Sequence, residues 1–335
     1  MDKRGKRRVE KNVREPKKKS TLRFFIKAFL ICLAVILIGN YGIEKIGAWH
    51  PFMKETKHKK KHMTEQIGEF LPGNEEYYRQ FKHADRVNVL MIGVNKGMSD
   101  TLMLISFDRK SKQMDMISVP RDTYFERPGY DGLAERKINA AYRNDPMNAA
   151  KAVSKVLNDI PINYYAVVDY NGVKKVVDAM GGVPITLDRN MDYEDPYDKP
   201  PLKIHLKAGE QVLNGEQAMQ FLRYRKGYGD ADIGRIKAHH QFMKNAMKQA
   251  LGLDFPKVAK VALKELDSDI DLKTGMSLAT KAARMDKDAL NTYTIPFTPQ
   301  AEAPYYVYPK EEEIKELIDS IYRSNEPKED EAAEE

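Results

Sequence analysis

An apolar run free of charge, Ala28 to Ile43, closes the stretch "LRFFIKAFLICLAVILIGNYGI", Leu22 to Ile43. A helix of about 20 such residues spans the hydrocarbon core of a bilayer, and Arg23 and Lys27 can snorkel to the headgroups on one side. No small-x-small cleavage site ends the run, so the pattern predicts a retained transmembrane signal anchor over residues 22–43 rather than a removed signal peptide. Residues 44–86 are then polar, charge-dense and weakly periodic, with a turn signal at "LPGN", and read as a stalk or linker.

Past the stalk the pattern changes to that of a folded domain, predicted over residues 87–325. "VNVLMIGV" (Val87 to Val94), "LMLISF" (Leu102 to Phe107) and "MDMISV" (Met114 to Val119) are β-rich apolar runs and predict three adjacent strands. Helical spacing over Asp145 to Asn158 follows, then a strand at "YYAVVDY", a helix at "NGVKKVVDAM" closed by Gly181-Gly182, and a strand at "VPITL". Arg189 to Pro201 is a polar, proline-rich insert. "LNGEQAMQFL" predicts a helix capped by Asn214, and Ile236, His240, Met243, Met247 and Leu251 mark one face of a longer helix. Helices near Phe255 to Leu266 and Met276 to Met285, a strand at "TYTIPF" and a helix over Lys310 to Tyr322 complete the domain. The acidic tail, residues 326–335, is predicted to be disordered. Strands interleaved with helices imply an α/β sheet with helices on both faces, an architecture that puts ligands on loops at strand ends.

Composition sharpens this picture at two points. The net charge of +7 over 335 residues is concentrated in the first 27 residues, and the remainder is close to neutral. A basic tail at residues 1–21, beside an anchor, predicts a cytoplasmic N-terminus and an extracellular C-terminal domain, although the cluster "KHKKKH" (Lys57 to His62) opposes that orientation. Nucleic acid is not an expected partner, because a basic domain would spread its charge over a folded face. Cys32, the single cysteine, lies inside the predicted span, so the exported domain has no disulfide, thiol nucleophile or zinc thiolate.

Three polar clusters fall at predicted element ends: "GVNKGMSDT" (Gly93 to Thr101), "SVPRDTYF" (Ser118 to Phe125) and "FLRYRKGYGDADIGR" (Phe221 to Arg235). Arg121 cannot run on into the core without burying a charge, so it emerges at a strand end. If Arg223, Arg225 and Arg235 converge on it, the result is an anion site; if each pairs with its own carboxylate, it is a solvated surface. Asp100, near such arginines, would stay ionised and could hold Mg²⁺ or a substrate hydroxyl. His239, one turn after Arg235, could face the same anion, whereas His240 falls on the apolar helix face. No Walker loop, nucleophile elbow or metalloprotease helix occurs, which removes the usual handles for ATP hydrolysis and proteolysis.

These clusters resemble the LytR-CpsA-Psr family of cell-wall glycopolymer transferases. The resemblance is carried in order by "SDT" (Ser99 to Thr101), "SVPRDTY" (Ser118 to Tyr124), "KINAAY" (Lys137 to Tyr142), "DAMGGV" (Asp178 to Val183), "LNGEQA" (Leu213 to Ala218) and "RYRKGYGDADIGR" (Arg223 to Arg235). It implies a three-layer α/β/α sandwich with a central mixed sheet, behind a single N-terminal transmembrane helix. It also implies an apolar cavity for a polyprenyl tail and transfer of a phosphate-linked glycopolymer, such as wall teichoic acid, from polyprenyl pyrophosphate to a peptidoglycan hydroxyl. By the same resemblance Arg121, Arg223, Arg225, Arg235 and Lys137 would bind the pyrophosphate, with Arg121 also catalytic. Asp100 and Asn95 would hold Mg²⁺, while Asp100, Asp230 and Asp232 would serve the incoming hydroxyl or orient guanidinium groups. The chain departs from the family pattern at Asn95, which offers a neutral carbonyl where an aspartate is usual, and at Met98, Ala238 and His239. Two other readings use the same pocket: a polyprenyl-pyrophosphate-binding regulator of envelope assembly without turnover, and a pyrophosphatase acting on the carrier.

Overall fold

The computed structural model describes residues 86–198, 201–225 and 232–250, then 258, 261–262, 264–286 and 289–323. The predicted tail, anchor, stalk to residue 85 and acidic terminus lie outside the described residues. Among the described residues, no helix is long and apolar enough to cross a membrane.

The centre is a six-stranded mixed sheet. Strands β1 (Arg86–Asn95), β2 (Met98–Asp108) and β3 (Met114–Val119) form an antiparallel meander. Its first turn is only Lys96-Gly97, at φ 51° and 81°. Two consecutive positive φ values match a type I′ hairpin, whose twist suits the flanking strands and which glycine adopts without strain. A parallel β4 (Tyr164–Asp169) joins the free side of β1 and carries the short β9 (Asp267–Ser268) beyond it. At the other edge, β10 (Leu290–Thr294) runs parallel to β3. The spatial order is therefore β10-β3-β2-β1-β4-β9.

Period-2 alternation separates the two faces of this sheet. Leu90, Ile92, Leu102, Leu104, Ile117 and Val119 point to one face, where they pack on α1 (Pro146–Val156) and α6 (Glu311–Arg323) through Ala149, Val153, Ile314 and Ile318. Asp145 caps α1 by accepting the Met147 N–H, ahead of a proline suited to the first turn. The opposite face presents Met103, Phe107, Met114 and Met116 towards α4 (Asp232–Ala250) and α5 (Leu272–Ala282). Helices thus flank both faces, as the interleaved pattern predicts.

A second apolar cluster joins α2 (Tyr170–Ala179), α3 (Gly215–Arg223) and α4 to two antiparallel strand pairs. One pairs β5 (Val183–Leu187) with β8 (Gly209–Leu213), and the other pairs β6 (Met191–Asp195) with β7 (Leu202–Leu206). Asn214 and Gln217 form a capping box on α3. After α2 the chain turns at Gly182, φ 96°, where a Cβ would stand 2.6 Å from Val212 Cγ1 and 3.0 Å from the Leu213 carbonyl oxygen. The insert at Arg189 to Pro201 is not irregular throughout, because Met191 to Asp195 form β6. Its apolar positions are too few to show a period of two before the partner strand is known.

Candidate functional site

One face of the sheet does not close on itself. Val89 and Met91 of β1, Met103 and Ile105 of β2 and Ala166 and Val168 of β4 line a cavity of about 830 Å³, roofed by residues of α4 and α5 such as Phe242, Met247 and Leu278. These walls are apolar, so the interior offers an alkyl chain the environment it lacks in water.

A single extra residue brings a carboxylate to the mouth. Along β2 the odd-numbered residues from Thr101 to Phe107 line the cavity, and continued alternation would turn Asp100 to the other face. Instead Gly93 pairs with Thr101 while Val94 pairs with Ser99, leaving Asp100 as a bulge that restores it to the cavity side.

Four arginines from three segments reach this mouth. Arg121 leaves the end of β3, Arg223 and Arg225 end α3 and begin its loop, and Arg235 lies in the first turns of α4; all line the same cavity. Arg121 Nη1 donates to Asp100 Oδ1 at 2.8 Å, and the Tyr170 hydroxyl donates to Asp100 Oδ2 at 2.7 Å. Arg223 stacks over the Tyr170 ring at 5.2 Å and pairs with Asp198, which also lies 3.4 Å from Lys96 Nζ. Arg235 is 6% exposed. His239, one turn on, donates Nε2–H to the Leu222 carbonyl at 2.9 Å, an arrangement that fixes its tautomer when neutral.

The electrostatics follow from these contacts. Burial pushes the Asp100 carboxyl up, but the Tyr170 hydroxyl, Arg121 and Arg225 outweigh it, and the net shift is downward. Asp100 is therefore an anion across the physiological range. Burial, together with the Asp100 charge, pushes the Tyr170 hydroxyl up to about 12, so it remains a proton donor. The mouth as a whole is cationic, with Arg225 exposed at its edge.

The structure brings together Asn95, Asp100, Arg121, Arg223, Arg225 and Arg235. It places Lys137 elsewhere: its ammonium holds Asp122 at 2.8 Å, and it is absent from the cavity lining, so its contribution is to the loop that carries Arg121. Asp230 lies outside the described residues, and Asp232 opens α4 with its side chain undescribed. His240 contacts Ser118 Oγ at 2.7 Å through Nε2, and burial lowers its pKa. Tyr170, Asp198 and Lys96 were not singled out by the sequence. Tyr170 had one usable signal, its position at the end of a predicted strand; Asp198 had none.

The donor set fits magnesium only sparsely. Each Asp100 oxygen accepts one hydrogen bond and keeps acceptor capacity, and the Asn95 carbonyl shares the cavity. Among the described residues, no three His, Cys, Asp or Glu side chains are grouped to hold a metal. A Mg²⁺ ion here would draw its remaining ligands from phosphate oxygens and water, as that ion commonly does.

Comparison with known proteins places these residues in a wider set. The model of the LytR_cpsA_psr family matches residues 50–322. The chain is 30% identical over 204 residues to the polyisoprenyl-teichoic acid–peptidoglycan teichoic acid transferase TagV of Bacillus subtilis (strain 168), covering 60% of this chain and 52% of that protein. It is 35% identical over 171 residues to the enzyme of the same description, TagU, of Bacillus cereus (strain AH820), covering 50% and 53%. A third relative, the regulatory protein MsrR of Staphylococcus aureus (strain Mu50 / ATCC 700699), is 29% identical over 231 residues, covering 64% and 66%. The chain thus spans about half the length of the two curated transferases it matches. In three dimensions it is similar to the crystal structure of B. subtilis TagV, with a TM-score of 0.61 at 26% identity, over 73% of this chain and 99% of that one.

Proposed function

Since the chain belongs to the LytR-CpsA-Psr family, we propose that it is a membrane-anchored transferase that moves a phosphate-linked glycopolymer from a polyprenyl-pyrophosphate carrier to a peptidoglycan hydroxyl. The observation that carries this reading is a cavity with apolar walls and a mouth that gathers Arg121, Arg223, Arg225 and Arg235. An amphiphile with a long alkyl tail and a diphosphate head matches both halves.

In this reaction the acceptor hydroxyl attacks the phosphorus bonded to the glycopolymer. A new P–O bond forms, the bridging P–O bond of the pyrophosphate breaks, and polyprenyl phosphate leaves with the bonding electrons. Arginines positioned before the reaction stabilise the charge that grows on the departing phosphate, and the diphosphate supplies its own leaving group without ATP. Asp100, with its lowered pKa, is a poor proton acceptor; it holds Arg121 and Tyr170 in place. The hydroxyl proton passes to Asp230 or Asp232, which the sequence sets beside Arg235. Mg²⁺ held by Asp100 and Asn95 would neutralise phosphate charge. The apolar run at residues 22–43 anchors the chain beside a lipid-borne donor, with the domain outside the membrane.

Full-length protein in nanodiscs, given a polyprenyl-pyrophosphate-linked glycopolymer and a peptidoglycan oligosaccharide, should yield ligated product and polyprenyl phosphate. Arg121→Ala should lower the rate by about 10²–10³-fold, the effect of removing one preorganised donor. Tight donor binding without product would instead support a regulator, the description carried by the MsrR relative, and release of the polymer to water would support a pyrophosphatase.

A further inference from the structure

An aromatic surface stands on the loop that carries Arg121. Asp122 to Tyr124 pair with the short strand Val307–Pro309: the Val307 N–H donates to the Asp122 carbonyl at 3.0 Å, and the Tyr124 N–H to the Val307 carbonyl at 2.8 Å. This pairing sets Tyr306 and Tyr308 beside Tyr124, with ring centroids 5.0 Å and 5.3 Å from it. Tyr306 is buried and anchors the group by donating to the Leu133 carbonyl at 2.8 Å. Tyr308 is 41% exposed, and both Tyr305 and Leu133 are 62% exposed.

Exposure of this kind needs a reason. Among the described residues six large hydrophobic side chains are exposed, and three of them, Leu133, Tyr305 and Tyr308, lie on the segments that build this surface. Clustered exposed aromatics mark interaction sites more often than scattered ones do. Another aromatic pair, Phe221 with Phe242, is core.

The chemistry around the rings indicates the partner. Glu126 accepts from the Tyr124 hydroxyl, and Gln300 accepts from that of Tyr308 at 3.3 Å. A pyranose ring offers apolar C–H bonds on its faces and hydroxyls round its edge. The negative π-face of a tyrosine suits the former, and carboxylate and carboxamide groups suit the latter.

Position supplies the second argument. In-line displacement requires the nucleophile to arrive opposite the leaving group. On the proposed function the leaving polyprenyl phosphate sits on the cavity side of Arg121, so the acceptor must come from outside. Tyr124 is three residues from Arg121, within about 10 Å along the chain. We infer that Tyr124, Tyr305 and Tyr308 form a glycan-binding platform that seats the acceptor sugar strand on the loop that follows Arg121, outside the cavity lining, an inference that rests on the transferase reading for its direction.

The test uses full-length protein in nanodiscs and a peptide-free oligosaccharide of alternating β-1,4-linked N-acetylglucosamine and N-acetylmuramic acid. The double variant Tyr305→Ala/Tyr308→Ala should bind this glycan about tenfold more weakly, from two lost aromatic stackings. Its melting temperature and polyprenyl-pyrophosphate affinity should not change. Tyr308→Phe, which keeps the ring, should bind within about twofold of the parent. In the transfer assay the double variant should raise KM for the acceptor with little change in kcat. Glycan affinity unchanged in the double variant, or no glycan binding by the parent, would overturn the platform. Tyrosine-dependent glycan binding without any transfer product would sink the transferase reading and leave the platform standing.

Discussion

Two arginine–aspartate pairs in this protein have nearly the same geometry and opposite surroundings. Arg86 Nη1 meets Asp115 Oδ2 at 2.7 Å with side chains 2% and 1% exposed; Arg121 Nη1 meets Asp100 Oδ1 at 2.8 Å with side chains 20% and 22% exposed. Around the first pair the neighbours are all protein. Arg86 also reaches Ser106, its guanidinium lies 5.2 Å over the Tyr322 ring, Asn291 donates to Asp115, and Tyr322 donates to Asn88 at 2.6 Å. That network ties α6 to the sheet. The second pair opens onto a cavity mouth with three more arginines. A charged pair locks a fold where protein groups enclose it, and serves a ligand where they stop short of it.

The largest expected effect separates the two pairs by readout. Arg86→Ala leaves Asp115 buried without its cation and should destabilise the domain by about 3–5 kcal/mol, seen in denaturant or thermal melts. Replacing both partners, Arg86→Met with Asp115→Leu, should recover much of that loss. By contrast Arg121→Ala should leave the melt within about 1 kcal/mol of the parent while lowering turnover by about 10²–10³-fold. Equal melting losses for the two alanine variants would erase the distinction.

Two tyrosines refine it. Tyr322→Phe strips Asn88 of a buried donor and should cost about 1–3 kcal/mol of stability with kcat unchanged. Tyr170→Phe should barely move the melt but lower kcat about tenfold, through loss of a bond to a charged group. Without that hydroxyl the Asp100 pKa rises, so the acid limb of the pH–rate profile should shift to higher pH.

The smallest effect is a pH dependence. Burial lowers the His240 pKa, so below about 6.5 the unfolded chain takes up a proton that the folded chain refuses, and stability falls as pH drops from there towards 5. Asp100, shifted down, contributes stability that is complete above its unfolded value near 3.9 and is lost only as pH falls through its lower folded value. The stability difference between parent and His240→Gln should therefore slope between pH 6.5 and 5, and a flat difference would place His240 in solvent.

Much of the sheet was legible before any coordinates. The apolar runs of β1, β3 and β4, the Asn214 cap and the Gly181-Gly182 stop all carry local signals, and Arg121 stood out because charge at a strand end has few structural uses. Arg86 was the opposite case: one residue outside the predicted domain and assigned to the stalk, it proves to be the most enclosed cation of the sheet, since nothing nearby in sequence reveals partners at Ser106, Asp115 and Tyr322. Lys137 likewise met Asp122 rather than the cavity.

Order of strands and helices, the faces they bury and the residue types available for an anion site were set by local patterning, because period and propensity act over a few residues. The bulge that turns Asp100 inward, the meeting of Tyr170 with Asp100 and the mounting of three tyrosines beside Arg121 were settled only by folding. Each depends on register between segments far apart in the chain, and a single residue of slip would have pointed the same side chains to the opposite face.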